Sequence, residues 1–469
     1  MTEVDVIVLG LGTSGEELAG RLTMSGLEVV GIEPELVGGE CAYWACLPTK
    51  TMIRAANLLQ EARRVDGVAG HAEVRPDWTP LATKVREQVA GGWDDTAAVQ
   101  RFEERGGRFV RGRGRLTGPR SVAVDGEEFT ARRGIVISTG SEPVIPPIPG
   151  LDEVGYWTNR EAVSAKELPG SLIVLGGGSV GCELGQVFSR FGAEVTIVDA
   201  AERLLPSDEP EAGDLLRSAF EEEGITVHTD TAVDRVEGDP GDRVRAVLSD
   251  GTQLVADQVL VAVGRTPRLE GLGLDAAGID ISNGLPLDGR MRVADGIWAM
   301  GDVTAQGMFT HLALYQAGII EADILGEDPA PADYTALPRA TFTDPQVGSV
   351  GMREDQARAA GLDVEVTVKR ISATFRGFVH GPGGDGVIKL VADRDAGVLV
   401  GALSAGPQGA EALGLLTVAI QTRMPIDALR HTMYAFPSFY GGVGESVGAY
   451  GRALIEGVLD PGFTPLLQG

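Results

Sequence analysis

Two cysteines five residues apart stand in the run Gly38-Gly39-Glu40-Cys41-Ala42-Tyr43-Trp44-Ala45-Cys46-Leu47-Pro48-Thr49-Lys50. Sulfur at that spacing can exchange electrons or hold a metal. The chain has three cysteines among 469 residues, too few for a structural disulfide framework, and no second Cys or His pair lies close by, so redox chemistry is favoured over metal binding. Five residues along an ideal helix separate Cα atoms by roughly 8 to 9 Å, beyond the ~7 Å a disulfide can bridge. Joined sulfurs would therefore require a loosened first turn of the helix that follows. Such a turn leaves backbone N–H groups free and aims a helix N-terminus at the sulfurs, which favours thiolate over thiol. Cys182, the third cysteine, reads as a small buried filler.

The pair lies just downstream of elements that position a dinucleotide. The apolar run Val4 to Leu9 predicts a buried strand, Gly10-Leu11-Gly12-Thr13-Ser14-Gly15 a tight turn, and Glu16 to Met24 a helix. Gly10, Gly12 and Gly15 allow the turn, the approach of a pyrophosphate and close helix packing, while the helix N-terminus receives negative charge. A second strand, Glu28 to Ile32, ends at Glu33, about where an acid meets a ribose. The arrangement recurs: Ser171 to Leu175 leads into Gly176-Gly177-Gly178-Ser179-Val180-Gly181, a helix to Gly192, and a strand Glu194 to Val198 that ends in Asp199. Gly176, Gly178 and Gly181 repeat the three roles. Asp199 would accept from a ribose 2′-hydroxyl and repel a 2′-phosphate, so NADH is favoured over NADPH, with Arg203 leaving NADPH open.

A chain this long implies two to four domains. Its 66 glycines fall between apolar runs rather than in a low-complexity tract. The formal charge of −27, from 67 acidic and 40 basic residues, argues against unassisted binding to nucleic acid or anionic lipid. No apolar run approaches the ~20 residues of a membrane span, and no basic leader precedes the first strand, so a cytoplasmic location is expected.

Two nucleotide repeats with a cysteine pair between them make the chain resemble the pyridine nucleotide-disulfide oxidoreductases, which include dihydrolipoamide dehydrogenase, glutathione reductase and mercuric reductase. Further motifs fall in the same order. Ile135-Val136-Ile137-Ser138-Thr139-Gly140 before the proline-rich run to Pro149 is similar to the strand returning to the FAD domain, and Val259 to Pro267 to the strand closing the NAD domain. Ile297-Trp298-Ala299-Met300-Gly301-Asp302 resembles the late FAD motif, and Phe342-Thr343-Asp344-Pro345 the opening of the dimerisation domain. The resemblance implies an α/β fold with two nested Rossmann-like domains and an α+β C-terminal domain: FAD binding by residues 1–151 and 276–332, NAD(P) binding by 152–275, and homodimerisation by 333–469. It also implies a redox-active Cys41–Cys46 disulfide, with Cys46 against the flavin and Cys41 meeting substrate, and it gives Asp302 the ribityl chain. Lys50 would stand near flavin N5 with Glu183 as its carboxylate partner; a solvated helix lysine is the plain alternative. His311 is open between a flavin contact and an ordinary loop histidine, and His380 reads as surface.

The departures from the family pattern gather at the C-terminus. Anchored on Pro437, the position of the family's general-base histidine holds Phe436 and that of its glutamate holds Gly441. Phenylalanine cannot move a proton, a contribution of roughly 10² to 10⁴ in rate where it operates. His431 could take that role only with a different loop, and Tyr434 reads first as a packing residue. The family's Leu-Asn-Val-Gly between the cysteines is replaced by Ala42-Tyr43-Trp44-Ala45, and its gating tyrosine by Ser179. The tail from Asp460 to Gly469 has no cysteine, so a small-molecule substrate is expected to reach Cys41 directly. Phenylalanine at the base position also resembles the 2-ketopropyl coenzyme M oxidoreductase/carboxylase branch, though this chain lacks the histidine that branch carries where Gly441 stands. Three readings stand: reduction of a small disulfide or other electrophile, thioether cleavage with carbanion capture, and a non-enzymatic flavin redox sensor.

Overall fold

Continuous apolar runs bounded by glycine become buried parallel strands, because such strands are covered by helices on both faces. In the computed structural model, which describes residues 2–238, 241 and 243–448, the strand Thr2–Leu9 lies between Val29–Glu33 and Glu127–Ile137, parallel to both. Arg108–Arg111 extends this sheet on one side, and Ile297–Ala299 with antiparallel Arg292–Ala294 extends it on the other. Strands from the start of the chain and from beyond residue 290 thus share one sheet. Between them runs a second parallel sheet, ordered Thr226–His228, Glu194–Val198, Ser171–Leu175, Gln258–Val261. An antiparallel trio, Val233–Glu237, Val244–Leu248 and Gln253–Ala256, packs beside it.

The run Val259 to Pro267 is not one strand. Gln258–Val261 belongs to the parallel sheet, whereas Arg265–Pro267 pairs antiparallel with Ser141–Pro143 as a two-stranded ribbon. Gly264, at φ +132°, makes the break, and the prolines at the ribbon ends cannot donate to a wider ladder. The last sheet is antiparallel and five-stranded, in the order Pro338–Thr341, Gln346–Gly351, Val398–Gly406, Val387–Asp393, Val364–Arg370, with the helix Gly409–Gln421 packed on it. The molecule is therefore two nested Rossmann-like units followed by an α+β unit. The last stretch of the expected association domain, 449–469, and the cysteine-free tail from Asp460 to Gly469 lie outside the described residues.

Candidate active site

Each glycine in the two turns has a separate physical cause. At Gly10 (φ +94°) a Cβ would stand 2.3 Å from the Ser138 carbonyl oxygen, and at Gly176 (φ +107°) 2.4 Å from that of Ala262. At Gly15 and Gly181 it would stand 2.1 and 1.9 Å from the carbonyl oxygens of Gly10 and Gly176. At Gly12 and Gly178 a Cβ would meet no protein atom within 4 Å. The middle glycines thus leave space that the protein itself does not use. The helices Thr13–Met24 and Ser179–Phe191 begin directly after them with no side-chain cap, which leaves their first-turn N–H groups available to an anion. The acids at the strand ends serve the same turns. Glu33 accepts from the N–H groups of Leu11 (2.9 Å) and Glu35 (2.8 Å), and Asp199 from those of Gly177 (2.5 Å) and Ala201 (2.7 Å). Burial pushes the Glu33 carboxyl above its usual value.

The first turn opens into a cavity of about 670 Å³ whose wall carries Gly10, Gly12, Glu33, Cys41, Cys46, Lys50, Gly140, Glu183, Asp302 and His311. Gly15, packed against the Gly10 carbonyl, is not part of the wall. Of the second turn and its helix, Ser179, Val180, Glu183 and Leu184 reach this wall, while Gly176, Gly178, Gly181 and Asp199 do not.

Cys41 and Cys46 are joined as a disulfide with Cα atoms 4.6 Å apart. The chain reaches that separation by leaving helical geometry between the sulfurs. Cys41 lies in the short helix Gly39–Tyr43, Trp44 (φ −137°, ψ 0°) and Ala45 (φ −130°, ψ −102°) break it, and Cys46 begins the helix Cys46–Arg63. The loosened turn expected from the spacing is this break. Cys46 Sγ lies 3.4 Å from the Thr310 hydroxyl at the start of the helix Thr310–Leu325. One turn beyond Cys46, Lys50 Nζ donates to Glu183 Oε2 at 2.7 Å and sits 5.0 Å over the Phe342 ring. The Glu183 side chain is 5% exposed, so a cation beside it offsets the cost of its burial.

Elsewhere on the wall, the Asp302 carboxylate accepts from Ser141 Oγ at 2.6 Å, and the same hydroxyl accepts from Arg265 Nε at 2.8 Å. Burial raises the Asp302 carboxyl against the pull of Ser141 and Arg265, and lowers the Arg265 guanidinium. His311 Nε2–H donates to the Pro338 carbonyl (2.9 Å), and its ring lies along Phe309. Desolvation lowers its pKa and favours the neutral ring.

Other expected residues fall elsewhere. The Phe436 ring is 62% exposed and meets Phe375 edge-on at 5.0 Å, outside the cavity wall. His431 Nδ1 faces the Asp427 carbonyl of its own helical turn, and the Tyr434 hydroxyl donates to the Leu429 carbonyl, as a packing tyrosine would. His380 is not the surface residue expected. It ends the helix Phe375–His380, half-buried against Phe439, because Thr374 caps that helix through the Gly377 N–H. Cys182 is fully buried, its thiol pushed up by desolvation, and donates to the Gly177 carbonyl.

Tyr43 and Trp44 both pack, and Trp44 does so in a way that sequence spacing did not show. The Arg160 guanidinium lies 4.2 Å over its ring while bonding Glu40 and Glu35, and Asn159 Nδ2 donates to the Trp44 carbonyl. The Asn159-Arg160 step opens the helix Asn159–Ser164, lines the same cavity, and holds the loop between the cysteines.

Turns reserved for two dinucleotides, with a disulfide and a lysine–carboxylate pair beside the first, define a flavin-dependent disulfide oxidoreductase. The chain belongs to the pyridine nucleotide-disulphide oxidoreductase family, which it matches over residues 4–317, and residues 337–447 match that family's dimerisation domain. It is accordingly an FAD-dependent enzyme that takes electrons from NAD(P)H. Among its relatives, the dihydrolipoyl dehydrogenase of Thermus scotoductus is 33% identical, over 97% of this chain and 99% of that one. The mercuric reductase of Bacillus cereus is 31% identical, over 92% of this chain and 69% of its own. Among solved structures, a Cu(II) complex of the HOCl-induced flavoprotein disulfide reductase RclA from Escherichia coli superposes with a TM-score of 0.83 at 28% identity, over 96% of this chain and 99% of that one. LpdA of Mycobacterium tuberculosis gives 0.83 at 25%, over 95% and 98%. Among the described residues no helix is long and apolar enough to cross a membrane, and no group of three or more His, Cys, Asp or Glu could hold a metal.

Proposed function

We propose that the enzyme passes two electrons from NAD(P)H to the Cys41–Cys46 disulfide and from there to a small electrophile, in the first instance a small disulfide. The observation that carries this reading is the disulfide set in the same cavity wall as the Lys50–Glu183 pair and the first glycine turn. FAD, when bound, supplies the two-electron relay between nicotinamide and sulfur. Gly10, Gly12, Gly15 and Gly140 would seat it, with Glu33 at the ribose, Asp302 at the ribityl chain and His311 at the ring edge. Lys50, held by Glu183, places a cation where negative charge grows on reduction. The S–S bond takes up the electron pair and one proton, leaving a thiolate at Cys46 and a thiol at Cys41. Attack of the Cys41 sulfur on a second disulfide forms a mixed disulfide and releases one thiol, and the Cys46 thiolate then displaces the remaining group as a thiolate and restores the Cys41–Cys46 bond. Cys46 is the cofactor-side sulfur in this account, a reading supported by its contact with Thr310 at a helix N-terminus, which favours thiolate.

Gly176, Gly178, Gly181 and Asp199 would hold the nicotinamide nucleotide, and the carboxylate at Asp199 favours NADH. The unit from 333 onward would pair two copies, with the Phe436 loop facing the partner's disulfide. Phe436 then stands where a proton donor is usual, and the leaving thiolate takes its proton from water or from substrate. The same substitution favours a second reading, thioether cleavage with carbanion capture, which differs in that its product incorporates bicarbonate. The test of the first reading is alkylation with mass analysis after anaerobic NADH. Two new modified cysteines, Cys41 and Cys46, are expected for each FAD; an unmodified pair would defeat the proposal.

A further inference from the structure

Four polar residues of the largely apolar helix Ser179–Phe191 stand at spacings of four, three and four: Ser179, Glu183, Gln186 and Arg190. That spacing puts them on one face. All four bond the segment Thr341–Asp344, which enters the C-terminal unit. Ser179 Oγ and Thr341 Oγ1 are 2.7 Å apart, and the Phe342 N–H donates to Glu183 Oε1 at 2.8 Å. The Asp344 N–H donates to Gln186 Oε1 at 2.8 Å, and Gln186 Nε2 returns a bond of 2.7 Å to the Asp344 carbonyl. Arg190 Nη2 donates to the Asp344 carboxylate at 2.9 Å. The disulfide helix Cys46–Arg63 and the residue that ends it close the arrangement at Lys50, Asn57 and Arg64, seven residues apart. Asn57 Oδ1 accepts from Arg190 (2.6 Å), and Arg64 donates to Asp344 (2.7 Å).

The reciprocal amide pair is the only contact in this row that grips both the donor and the acceptor of one residue's main chain, so it fixes the register of the segment along the helix. Register matters two residues upstream. There the Phe342 N–H occupies one oxygen of Glu183 and leaves the other to Lys50, while the Phe342 ring lies under the ammonium. We propose that Gln186, 3% exposed and outside the cavity wall, is a positioning residue for the reaction centre: through the Asp344 peptide it sets the place from which Phe342 holds Glu183, and with it Lys50. The C-terminal unit then shapes the electron-transfer site as well as offering a surface for association. The inference rests on the reading of Lys50 and Glu183 given under Proposed function.

Gln186 tests this better than Arg190, whose loss would leave the largely buried Glu223 carboxylate without its cation and Asp344 with Arg64 alone. In the FAD-loaded protein, Gln186→Leu should slow flavin reduction by NADH about 10- to 100-fold, the range that a small misplacement of a reacting group produces. Peptide-level hydrogen exchange across Phe342 should accelerate in the same variant. Combined with Lys50→Met, Gln186→Leu should add no further slowing, because its effect runs through the lysine. Gln186→Glu keeps the acceptor but loses the donor, should fall between wild type and Gln186→Leu, and carries the test alone if the leucine variant does not fold. An unchanged rate with unchanged Phe342 protection overturns the inference, as does a full multiplicative loss in the double variant. A wild-type rate in Lys50→Met overturns the underlying reading together with it.

Discussion

The two glycine turns share a backbone and differ in what is built around it. In the first, the residue after the leading glycine is Leu11, and its side chain fits because the facing strand carries Gly31, where a Cβ would come within 2.7 Å of Leu11 Cδ1. In the second that residue is Gly177, and a Cβ there would meet Leu204 at 2.5 Å and the Asp199 carboxylate at 2.9 Å. The first turn is also roofed. The Gly38 N–H donates to the Leu11 carbonyl at 2.7 Å, Thr13 Oγ1 donates to the Gly38 carbonyl at 2.9 Å, and Gly39 lies so close that its Cβ would stand 2.8 Å from Gly12 Cα. The roof leads straight into Cys41. At the second turn the Leu205 N–H donates to the Gly177 carbonyl at 2.9 Å, so a segment lies there as well, but it follows Asp199 and carries no cysteine. The glycine pattern leaves the same room at the middle glycine in both places, and the adjoining segments differ, the one at the first turn continuing into the sulfurs.

The largest effects should come from the glycines that touch backbone. Gly15→Ala and Gly181→Ala each drive a methyl into a carbonyl oxygen that cannot move aside, a strain of about 1–3 kcal/mol or more. The first variant should lose bound FAD, and the second should keep its yellow colour but fail to be reduced by NADH. FAD content and anaerobic reduction read the two losses separately, and a colourless Gly181→Ala protein would show that the halves are not independent. Smaller effects are expected at Gly12 and Gly178, where a methyl enters space free of protein. Unfolding stability should stay within about 0.5 kcal/mol of wild type, while Gly12→Ala weakens FAD retention and Gly178→Ala raises the KM for NADH at full FAD content.

The smallest effect separates the buried acids from their surroundings. Burial raises Asp302 above its ordinary value of 3.8, so the native apoprotein binds this proton more tightly than the unfolded chain does. The stability that the protonated form contributes is complete below pH 3.8 and is lost as pH rises through the raised value. Apoprotein carrying Asp302→Asn should be more stable than wild type to urea at neutral pH, by a margin that narrows on acidification. A margin that widens instead would mean that Arg265 and Ser141, not burial, govern this carboxyl.

Both turns, both strand-end acids, the cysteine pair and the Lys50–Glu183 partnership were legible in the sequence, because each is either a local pattern or a single carry-over onto matching motifs. Contacts that join distant parts of the chain were not. Nothing near Trp44 announces Arg160, and nothing near Gln186 announces Asp344, since both pairings exist only once the sheets have assembled. One signal was present all the same. Gln186 and Arg190 continue the face of Ser179 and Glu183 on a largely apolar helix, and polar side chains recurring on one buried face require partners. His380 was misread for the opposite reason: the glycines around it suggest a turn, yet the Thr374 cap starts a helix that carries the ring inward. The long closing strand failed at Gly264, where positive φ redirects the chain.

The central claim is that electrons entering from the nicotinamide leave the cofactor at Cys46, and the absorbance of the FAD-loaded enzyme during anaerobic NADH titration tests it most directly. The account predicts a long-wavelength thiolate–flavin band at two electrons per FAD in the wild type, retained in Cys41→Ser and absent from Cys46→Ser. A band that persists in Cys46→Ser, or full bleaching of the flavin with the disulfide still intact, would contradict it.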